Sequence, residues 1–336
     1  MQRTKANGFY SSWRELLCGV PQGSILGSLL FNIFINDIFF FISKAKIANF
    51  ADDNTIYAVE KDVMALLKTL ESETLTVLNW FRVNEMKSNK SKCHLIVADL
   101  KHTLYSSTSC IYLENEFLES EEIVKPLGIT IDQNLDFEEH ISCLLKKGNQ
   151  KLHALMRIKK YLSEEKLKRI MKTFIESQFN YCPLIWMCHS RDLNQKINKL
   201  HERALRVVYK NSDLTFEGLL EKDKSFTIHE RNLQRLATEM YKVKHNLSPK
   251  PIQAIFTPAL RGSNEWVLPK VQKVNTGLET IRYRGPITWT LVPKEIQKCK
   301  SLSAFNKNKI KAWKPLGCTC RLCKVYIKNI GYVQVS

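Results

Sequence analysis

The chain has 336 residues, is 44% hydrophobic and carries a formal net charge of +18. This length predicts two domains, or one domain with extensions, and the hydrophobic content is sufficient for packed cores. The positive charge favours a polyanionic partner, with nucleic acid first and an anionic membrane second, over a merely basic soluble protein.

The sequence argues against a secreted or membrane-spanning protein. No apolar segment follows the charged residues at the N-terminus, so a secretory signal is not expected. The most apolar stretch, residues 25–42, is interrupted by Asn32, Asn36 and Asp37. Such residues are costly inside a bilayer, and the stretch therefore predicts a buried helix. With ten cysteines, mostly far apart, we expect reduced thiols in an intracellular protein of the nucleus or cytoplasm.

The first 42 residues predict a hairpin, a constrained loop and a helix. Residues 3–18 predict the hairpin, with Asn7 and Gly8 at its turn. Pro21 and Gly23 in the next segment, residues 19–24, suit a backbone that approaches another chain or a ligand closely. Apolar residues at helical spacing then follow Ser24, which is a suitable N-cap.

An acidic turn is the most informative short motif. Phe50-Ala51-Asp52-Asp53 lies between two β-prone runs, which predicts a tight hairpin with both acids at its tip. Only at a turn can neighbouring carboxylates approach one site, and a hard divalent cation such as Mg²⁺ would relieve their repulsion. A solvated turn is the alternative for this motif alone.

Strands and helices are mixed up to about residue 133. Residues 60–81 predict an amphipathic helix, followed by a polar, basic turn and a strand at Cys93–Val97. A strand pair is predicted around Ile111–Leu118. A further strand, Val124–Asp132, has a Pro-Leu-Gly turn inside it.

From Glu138 to Lys210 the chain is helical and basic, with 16 Lys and Arg against 7 Asp and Glu. Periodic apolar residues predict a helix from Glu138, another from Ser163 that stops at Pro183, and a third over residues 193–208. Thr227 and Glu230 form a capping box that opens a fourth helix reaching about His245. Contact with nucleic-acid phosphates is predicted, with a solvated helical face as the alternative, for Lys146, Lys147, Lys151, Arg157, Lys159, Lys160, Lys196, Lys199, Arg203 and Arg206.

The tail, from about Arg261, reads as irregular and ends in a cysteine cluster. Cys318, Cys320 and Cys323 have a metal-like density, but a structural zinc site has four ligands. Cys299 is the nearest cysteine that could be the fourth, and no histidine follows residue 245. A zinc site at these three cysteines is therefore the less favoured alternative, and free thiols in a mobile tail are favoured.

Three short sequence motifs occur close together near the N-terminus. Gly-Val-Pro-Gln-Gly-Ser at 19–24, Phe-Ile-Asn-Asp at 34–37 and Phe-Ala-Asp-Asp at 50–53 follow one another at close spacing. The chain thereby resembles the reverse transcriptases of non-LTR (LINE-like, jockey-like) retrotransposons. Trp80 through Lys92 is similar to the next polymerase motif, residues 125–129 to the turn that grips the primer end, and the helices after residue 138 to the thumb.

The resemblance implies an α+β fold. Residues 1–133 would form a partial right-hand polymerase palm, an antiparallel sheet with helices. Residues 134–260 would form a helical, thumb-like region that binds nucleic acid, and residues 261–336 a basic tail with the cysteine cluster. The implied partners are an RNA template, a DNA primer or RNA–DNA hybrid, and deoxynucleotides. The implied cofactor is a pair of Mg²⁺ ions.

The resemblance also assigns roles to residues. Asp52 and Asp53 match the metal-binding acids, and Lys92 matches a lysine that assists departure of pyrophosphate, with a solvated lysine as the alternative. Contact with template and nucleotide is implied for Pro21, Gln22, Gly23 and Ser24, and contact with the primer end for Leu127 and Gly128.

One departure limits the expected activity. The family's site takes a further aspartate from an earlier strand, whereas Asp37 is the first aspartate here and Glu15 is the only acid before it. We therefore expect a carboxy-terminal part of a reverse transcriptase, without fingers, first catalytic aspartate or any upstream endonuclease, and inactive alone. The alternatives are a non-enzymatic nucleic-acid-binding remnant and a relic open reading frame.

Overall fold

A computed structural model of the chain describes residues 1–15, 19–20, 23–98, 109–259, 265–271, 277–327 and 331–334. The side chains of residues 307, 308, 324–327 and 331–334 are not among those described. Two units emerge, Met1–Val124 and Lys125–Ser336, and each has its own cores. The described residues combine helices with small antiparallel sheets, which confirms the α+β class.

The described residues of the first unit form three antiparallel hairpins. They pair β1 (Lys5–Ala6) with β2 (Phe9–Tyr10), β3 (Lys46–Phe50) with β4 (Asp53–Tyr57), and β5 (Cys110–Leu113) with β6 (Glu116–Glu119); the short β7 (Ile123–Val124) follows. Asn7 and Gly8 join β1 and β2 with φ values of 51° and 86°. Positive φ at both central residues defines the type I′ hairpin turn that Asn-Gly favours, so the predicted turn is confirmed.

The long helix α2 (Val63–Val83) organises the first unit. Its N-cap Asp62 accepts a hydrogen bond from the backbone N–H of Ala65 at 2.8 Å. Val77 and Trp80 pack with Ile47 of β3 and Ile56 of β4. The predicted helix over 60–81 is confirmed, shifted by two or three residues because the cap fixes its start.

The helix α1 (Gly27–Ile35) differs from its prediction in two ways. It begins after Leu26, and no side chain caps it, so Ser24 is not the N-cap. Its apolar residues were expected to be buried, yet Ile25 before it and Ile33 within it are 93% and 65% exposed. Only Gly27 and Ile35 of α1 are buried. Phe31 is partly buried against the core around Val77 and Trp80, and the Phe34 ring lies 5.7 Å from the Trp80 ring, so one side of α1 packs while the other faces solvent.

Two predicted strands are weaker than expected. Residues 93–97 form no regular strand, and a single parallel bridge joins Leu95 to Ser120. The Pro-Leu-Gly segment, Pro126–Gly128, is a tight turn with positive φ at Leu127 and Gly128, and it separates β7 from β8 (Ile131–Asp132). Leu95 in the first segment and Ile129 in the second are both buried. The apolar pattern of these segments therefore indicates burial, and not the hydrogen-bonded ladder of a strand.

The second unit is mainly helical. It contains α3 (Glu138–Ile158), α4 (Glu164–Ile170), α5 (Pro183–Trp186), α6 (Arg191–Tyr209), α7 (Phe216–Asp223), α8 (Ile228–Lys244) and α9 (Lys250–Gln253). The core between α3 and α6 is tight: a Cβ on Gly148 would lie 2.5 Å from Leu200 Cδ2. The predicted helices at 138, 193–208 and 227–245 are confirmed, including the capping box.

The predicted helix from Ser163 to Pro183 is not continuous. After α4 the backbone widens into a π turn, Met171–Ile175, and then tightens into a 3₁₀ turn, Glu176–Asn180. The change of pitch lets Met171, Ile175 and Phe179 all face the same core, at spacings of four residues. It also places Glu176 inside the protein, where the periodic pattern gave no place for a charge.

The expectation of an irregular tail is wrong for the described residues. They contain α10 (Ile281–Leu291), α11 (Lys294–Gln297), α12 (Leu302–Ala304), a π turn at Phe305–Lys309, and the hairpin β9 (Lys324–Ile327) with β10 (Gly331–Gln334). Trp289 and Phe305 are buried against Met240 and Tyr241 of α8. These short elements lack a long helical period, so only their packing on α8 reveals them. No helix among the described residues has the length and hydropathy needed to span a membrane.

Candidate functional site

The acidic hairpin forms as predicted, with both aspartates at its tip. Phe50 pairs with Asp53, which leaves Ala51 and Asp52 as a two-residue loop. Ala51 has a φ of 53°, the positive value that a type II′ turn needs at its first central residue. Asp52 and Asp53 are both exposed, so their carboxylates are accessible to solvent and ions.

Hydrogen bonds around the hairpin hold its tip and its entry. Asn54 Nδ2 donates to the backbone oxygen of Asp52 at 3.1 Å, which ties β4 back to the loop. Ahead of β3, the buried Glu73 of α2 accepts hydrogen bonds from the backbone N–H groups of Ser43 and Lys44, both at 3.0 Å. Burial raises the pKa of Glu73, but these N–H donors outweigh it and lower the pKa below its usual value. The chain is therefore anchored to α2 just before it enters the hairpin.

Asp52 and Asp53 are suitable Mg²⁺ ligands, but they supply only part of a metal site. Two carboxylates supply the hard oxygen ligands that this ion prefers. Within the described ranges, however, the cluster of three or more His, Cys, Asp or Glu side chains that could hold a metal lies elsewhere in the chain and does not include Asp52 or Asp53. The hairpin thus offers two ligands of a site that needs further oxygen donors.

The other predicted palm residues occupy varied positions. Pro21 and Gln22 lie outside the described residues. Gly23 has a φ of 80° with open space around its Cα, and Ser24 is exposed. Lys92 is exposed at the end of a one-turn 3₁₀ helix, Lys90–Lys92. The structure neither confirms nor contradicts the roles predicted for them.

The predicted primer-gripping turn has an unusual backbone. Leu127 and Gly128 have φ values of 48° and 83°, and the Leu127 oxygen accepts a 2.6 Å hydrogen bond from the hydroxyl of Tyr181. A left-handed conformation at Leu127 is uncommon for a side chain of its size and needs support from its surroundings. Tyr181, far away in sequence, supplies that support.

Most of the predicted phosphate-contacting residues face solvent. Of the ten, only Lys151 and Arg206 are partly buried. Arg206 is occupied by Glu202, at 2.7 Å, and by the Ser212 oxygen. A groove of about 270 Å³ between α3 and α6 is lined by Leu145, Asn149, Lys196, Lys199, Leu200 and Arg203. Arg203 Nη1 donates to Asn149 Oδ1 at 3.1 Å, so the two helices present one basic surface.

Known proteins can now be compared with this arrangement. The family model described as reverse transcriptase (RNA-dependent DNA polymerase) matches residues 4–131, the segment that holds the acidic hairpin. This segment is similar to reverse transcriptases. The predicted resemblance to reverse transcriptases of non-LTR retrotransposons is confirmed.

Curated relatives extend the comparison into the second unit. The probable RNA-directed DNA polymerase from transposon BS of Drosophila melanogaster is 27% identical over 209 residues, which is 59% of this chain and 23% of that protein. The RNA-directed DNA polymerase from mobile element jockey of the same organism is 28% identical over 146 residues, covering 40% of this chain and 15% of that protein. The chain thus spans less than a quarter of the length of these relatives. No solved structure gives a significant match.

A second basic cleft lies in the second unit and is not apparent from the sequence. It has a volume of about 750 Å³, and its basic lining residues come from four separate segments: Lys172, Lys224, Arg231, Arg235, Lys242 and Lys311. Of the acidic lining residues, Glu176 and Glu239 are paired with Arg231 and Lys242. No local charge run marks this cleft, because its residues converge only after the helices pack.

A histidine joins the three tail cysteines. His229, near the start of α8, lies beside Cys318, Cys320 and Cys323, and the four ligand atoms are all within 4.8 Å of one another. Cys299, the fourth ligand considered from sequence, packs instead in the core around Trp289 and Phe305. No histidine follows residue 245 in the sequence, whereas the structure brings one to the cysteines from 89 residues before Cys318.

Proposed function

We propose that this chain supplies part of the catalytic palm and the nucleic-acid-binding region of an RNA-directed DNA polymerase of a non-LTR retrotransposon. The observation that carries the proposal is the Asp52–Asp53 hairpin, which lies within the segment that matches the reverse transcriptase family. Its substrates would be an RNA template, a DNA primer or RNA–DNA hybrid, and deoxynucleotides.

In this proposal each predicted residue keeps its role. Asp52 and Asp53 hold Mg²⁺ at the exposed tip of the hairpin. When bound, a pair of Mg²⁺ ions stabilises the attacking and leaving oxygens of nucleotidyl transfer. Lys92 assists the departing pyrophosphate, residues 21–24 contact template and nucleotide, and the turn at Leu127 and Gly128, supported by Tyr181, contacts the primer end.

The proposal includes low activity for the chain alone. Each unit charge pair at 4 Å contributes on the order of 4 kcal/mol at an effective dielectric constant of about 20. A site with one carboxylate fewer than the family's three is therefore expected to lose at least about 10³-fold in rate. Primer extension on an RNA template, with Mg²⁺ or Mn²⁺, measures this directly, and robust templated synthesis by the purified chain would contradict it.

A chimeric polymerase tests the catalytic role of the Asp52–Asp53 hairpin independently of the low activity expected for the chain alone. Residues 4–131 replace the corresponding segment of the jockey polymerase, so that the remaining parts come from that relative. We expect templated DNA synthesis by the chimera, and a loss of about 10³-fold on Asp52→Asn or Asp53→Asn, because each change removes one metal-binding charge.

The exposed Glu60 provides the matched control, since it lies shortly after β4 and has no proposed role. Glu60→Gln should leave the chimera's activity unchanged. Equal activity of the Asp53→Asn chimera and the unsubstituted chimera would refute the assignment of the hairpin.

The exposed basic surface of α3 and α6 supports a second candidate, a nucleic-acid-binding module without catalysis. The association constant for an RNA–DNA hybrid should fall as the salt concentration rises. In a plot of the logarithm of this constant against the logarithm of the salt concentration, each contacted phosphate contributes about 0.9 to the magnitude of the slope. Lys199→Ala and Arg203→Ala should each reduce this slope by about 0.9. Lys250→Ala on α9 is the control, and a slope that neither variant alters would exclude this surface from phosphate contact.

A further inference from the structure

Four metal-binding side chains converge between the start of α8 and the tail. His229 Nε2 lies 3.3 Å from Cys320 Sγ, 3.3 Å from Cys323 Sγ and 4.0 Å from Cys318 Sγ. Cys320 Sγ and Cys323 Sγ are 3.6 Å apart. His229, Cys318 and Cys320 are buried, and Cys323 is partly buried.

We propose that His229, Cys318, Cys320 and Cys323 form a structural site for one Zn²⁺ ion. Bonds of about 2.3 Å to sulfur and about 2.1 Å to nitrogen place tetrahedral ligands about 3.8 Å apart for two sulfurs and about 3.6 Å apart for sulfur and nitrogen. The four separations given above, 3.3 to 4.0 Å, lie within about 0.4 Å of these values. Three thiolates and one imidazole are a soft, four-ligand set that selects zinc over Mg²⁺.

The surroundings fit a closed structural site and not a catalytic one. Met187, Leu233 and Leu236 pack around the buried cysteines, with Leu184 and Leu322 at the edge. All four positions of a tetrahedral ion are filled by protein, so no position remains open for water or substrate.

Hydrogen bonds from the side chain and backbone of Arg321 hold in place the turn that carries Cys320 and Cys323. Arg321, between Cys320 and Cys323, donates from Nε to the His189 oxygen at 2.7 Å and from Nη2 to the Cys188 oxygen at 2.6 Å. Its backbone N–H donates to Glu279 at 3.3 Å. These contacts orient the two cysteines toward α8, so ligand placement does not depend on the ion alone.

On the opposite side, the first turn of α8 fixes the histidine. His229 lies two residues after Thr227, whose hydroxyl and the Glu230 carboxylate form the capping box. Its Nδ1 has no hydrogen-bond partner among the described residues, so helix geometry and packing determine the ring's orientation. Nε2 is the nitrogen that faces the three thiols.

Neither a disulfide nor three protonated thiols would engage all four side chains of the cluster. A disulfide joins two sulfurs and leaves a third thiol and the imidazole in a buried space without a role. Three thiols packed around a histidine gain little from one another, because S–H is a weak donor. A divalent metal satisfies every member of the cluster and joins two segments that are 89 residues apart.

Metal analysis of the full-length chain tests the site. The protein is expressed with zinc, purified without chelator and dialysed, and zinc is measured per chain by mass spectrometry. We expect about one zinc per chain, and Co²⁺ in its place should give thiolate charge-transfer bands and the intense visible bands of tetrahedral cobalt. Folded wild-type protein that retains no zinc and gives no such cobalt spectrum would overturn the proposal.

Matched variants separate the site from folding. Cys320→Ser and His229→Ala should each reduce bound zinc at least about tenfold, whereas His229→Cys should retain it as a four-cysteine site. Cys182→Ser, at an exposed cysteine outside the cluster, is the control and should keep zinc at the wild-type level. Retention of zinc by both Cys320→Ser and His229→Ala would overturn the assignment even if the wild type contains zinc.

Discussion

At the scale of single residues, Glu176 joins three elements of the second unit. It follows the π turn, and its carboxylate accepts a hydrogen bond from His201 Nε2 of α6 at 3.2 Å. Arg231 of α8 donates to the other oxygen at 2.6 Å. Glu176 and His201 are both buried, so this is a desolvated network whose members depend on one another.

The pKa of Glu176 makes this network dependent on pH. Burial raises the pKa, but the hydrogen bond from His201 and the charge of Arg231 outweigh it and lower the pKa from 4.5 to about 2. A group with a depressed pKa in the folded state stabilises that state above its unfolded pKa. The contribution, about 3 kcal/mol, is therefore present above pH 5 and is lost as the pH falls toward 2.

Glu176→Gln should lower the free energy of unfolding by about 2 to 4 kcal/mol at pH 7, because it leaves Arg231 without its charged partner. The difference from the wild type should shrink as the pH falls from 5 toward 2, since the wild-type carboxylate then becomes protonated. Urea unfolding followed by circular dichroism at several pH values measures both effects.

Glu165 provides the control for this prediction. It pairs with Arg169 at 3.4 Å, but both side chains are at least 80% exposed. Such a pair contributes little to stability, so Glu165→Gln should leave the unfolding free energy unchanged. A constant difference between Glu176→Gln and the wild type across the acid range would contradict the linkage.

At the scale of elements, the start of α8 is the best-specified helix terminus. Thr227 Oγ1 accepts from the Glu230 N–H at 3.2 Å, and Glu230 Oε2 accepts from the Thr227 N–H at 2.8 Å. The pattern Thr-Ile-His-Glu predicted this geometry from sequence because the four residues act within one turn. The same turn presents His229 to the tail cysteines, so a local cap supports a long-range site.

Thr227→Ala should destabilise the second unit by about 1 kcal/mol, because one N–H at the helix start loses its acceptor. Thermal unfolding should show a melting temperature lower by roughly 2 to 4 °C. Thr227→Ser keeps the hydroxyl and should restore most of the loss. Equal destabilisation by alanine and serine would show that the methyl group, and not the cap, accounts for the effect.

At the scale of the whole molecule, the positive charge and the exposed apolar side chains lie in different parts of the chain. The basic residues concentrate in the helices from Glu138 to Lys210 and on the 750 Å³ cleft. The first unit instead exposes large apolar side chains, among them Ile25, Phe40 and Val59, which are 93%, 83% and 89% exposed. Exposed apolar surface on this scale drives association with itself or with a partner.

We therefore expect the purified chain to self-associate as its concentration rises, measured by sedimentation velocity. Ile25→Lys with Ile33→Lys should shift the distribution toward the monomer without changing the melting temperature, since both residues are already exposed. Ile35→Lys is the contrasting variant: Ile35 is 4% exposed, so that change should lower stability instead. A wild-type chain that stays monomeric at all concentrations would contradict this prediction.

Local interactions explain which features could be predicted from sequence. The Asn7-Gly8 turn, the acidic hairpin, the Thr227 cap and the helices at Glu138 and Arg191 each depend on residues a few positions apart. The predictions failed where distant packing decides. Residues 93–97 form a bridge and not a strand, and the tail folds into helices because Trp289 and Phe305 pack against α8.

The sequence by itself determined the resemblance to reverse transcriptases, through motifs in a fixed order. It also determined the placement of two aspartates at one hairpin tip, because a tight turn is specified by its own residues. Only the tertiary structure decided which groups share a buried site. Glu176 meets Arg231, and His229 meets Cys318, over separations of 55 and 89 residues. No sequence spacing encodes such contacts, because they arise when helices with separate apolar faces pack into one core.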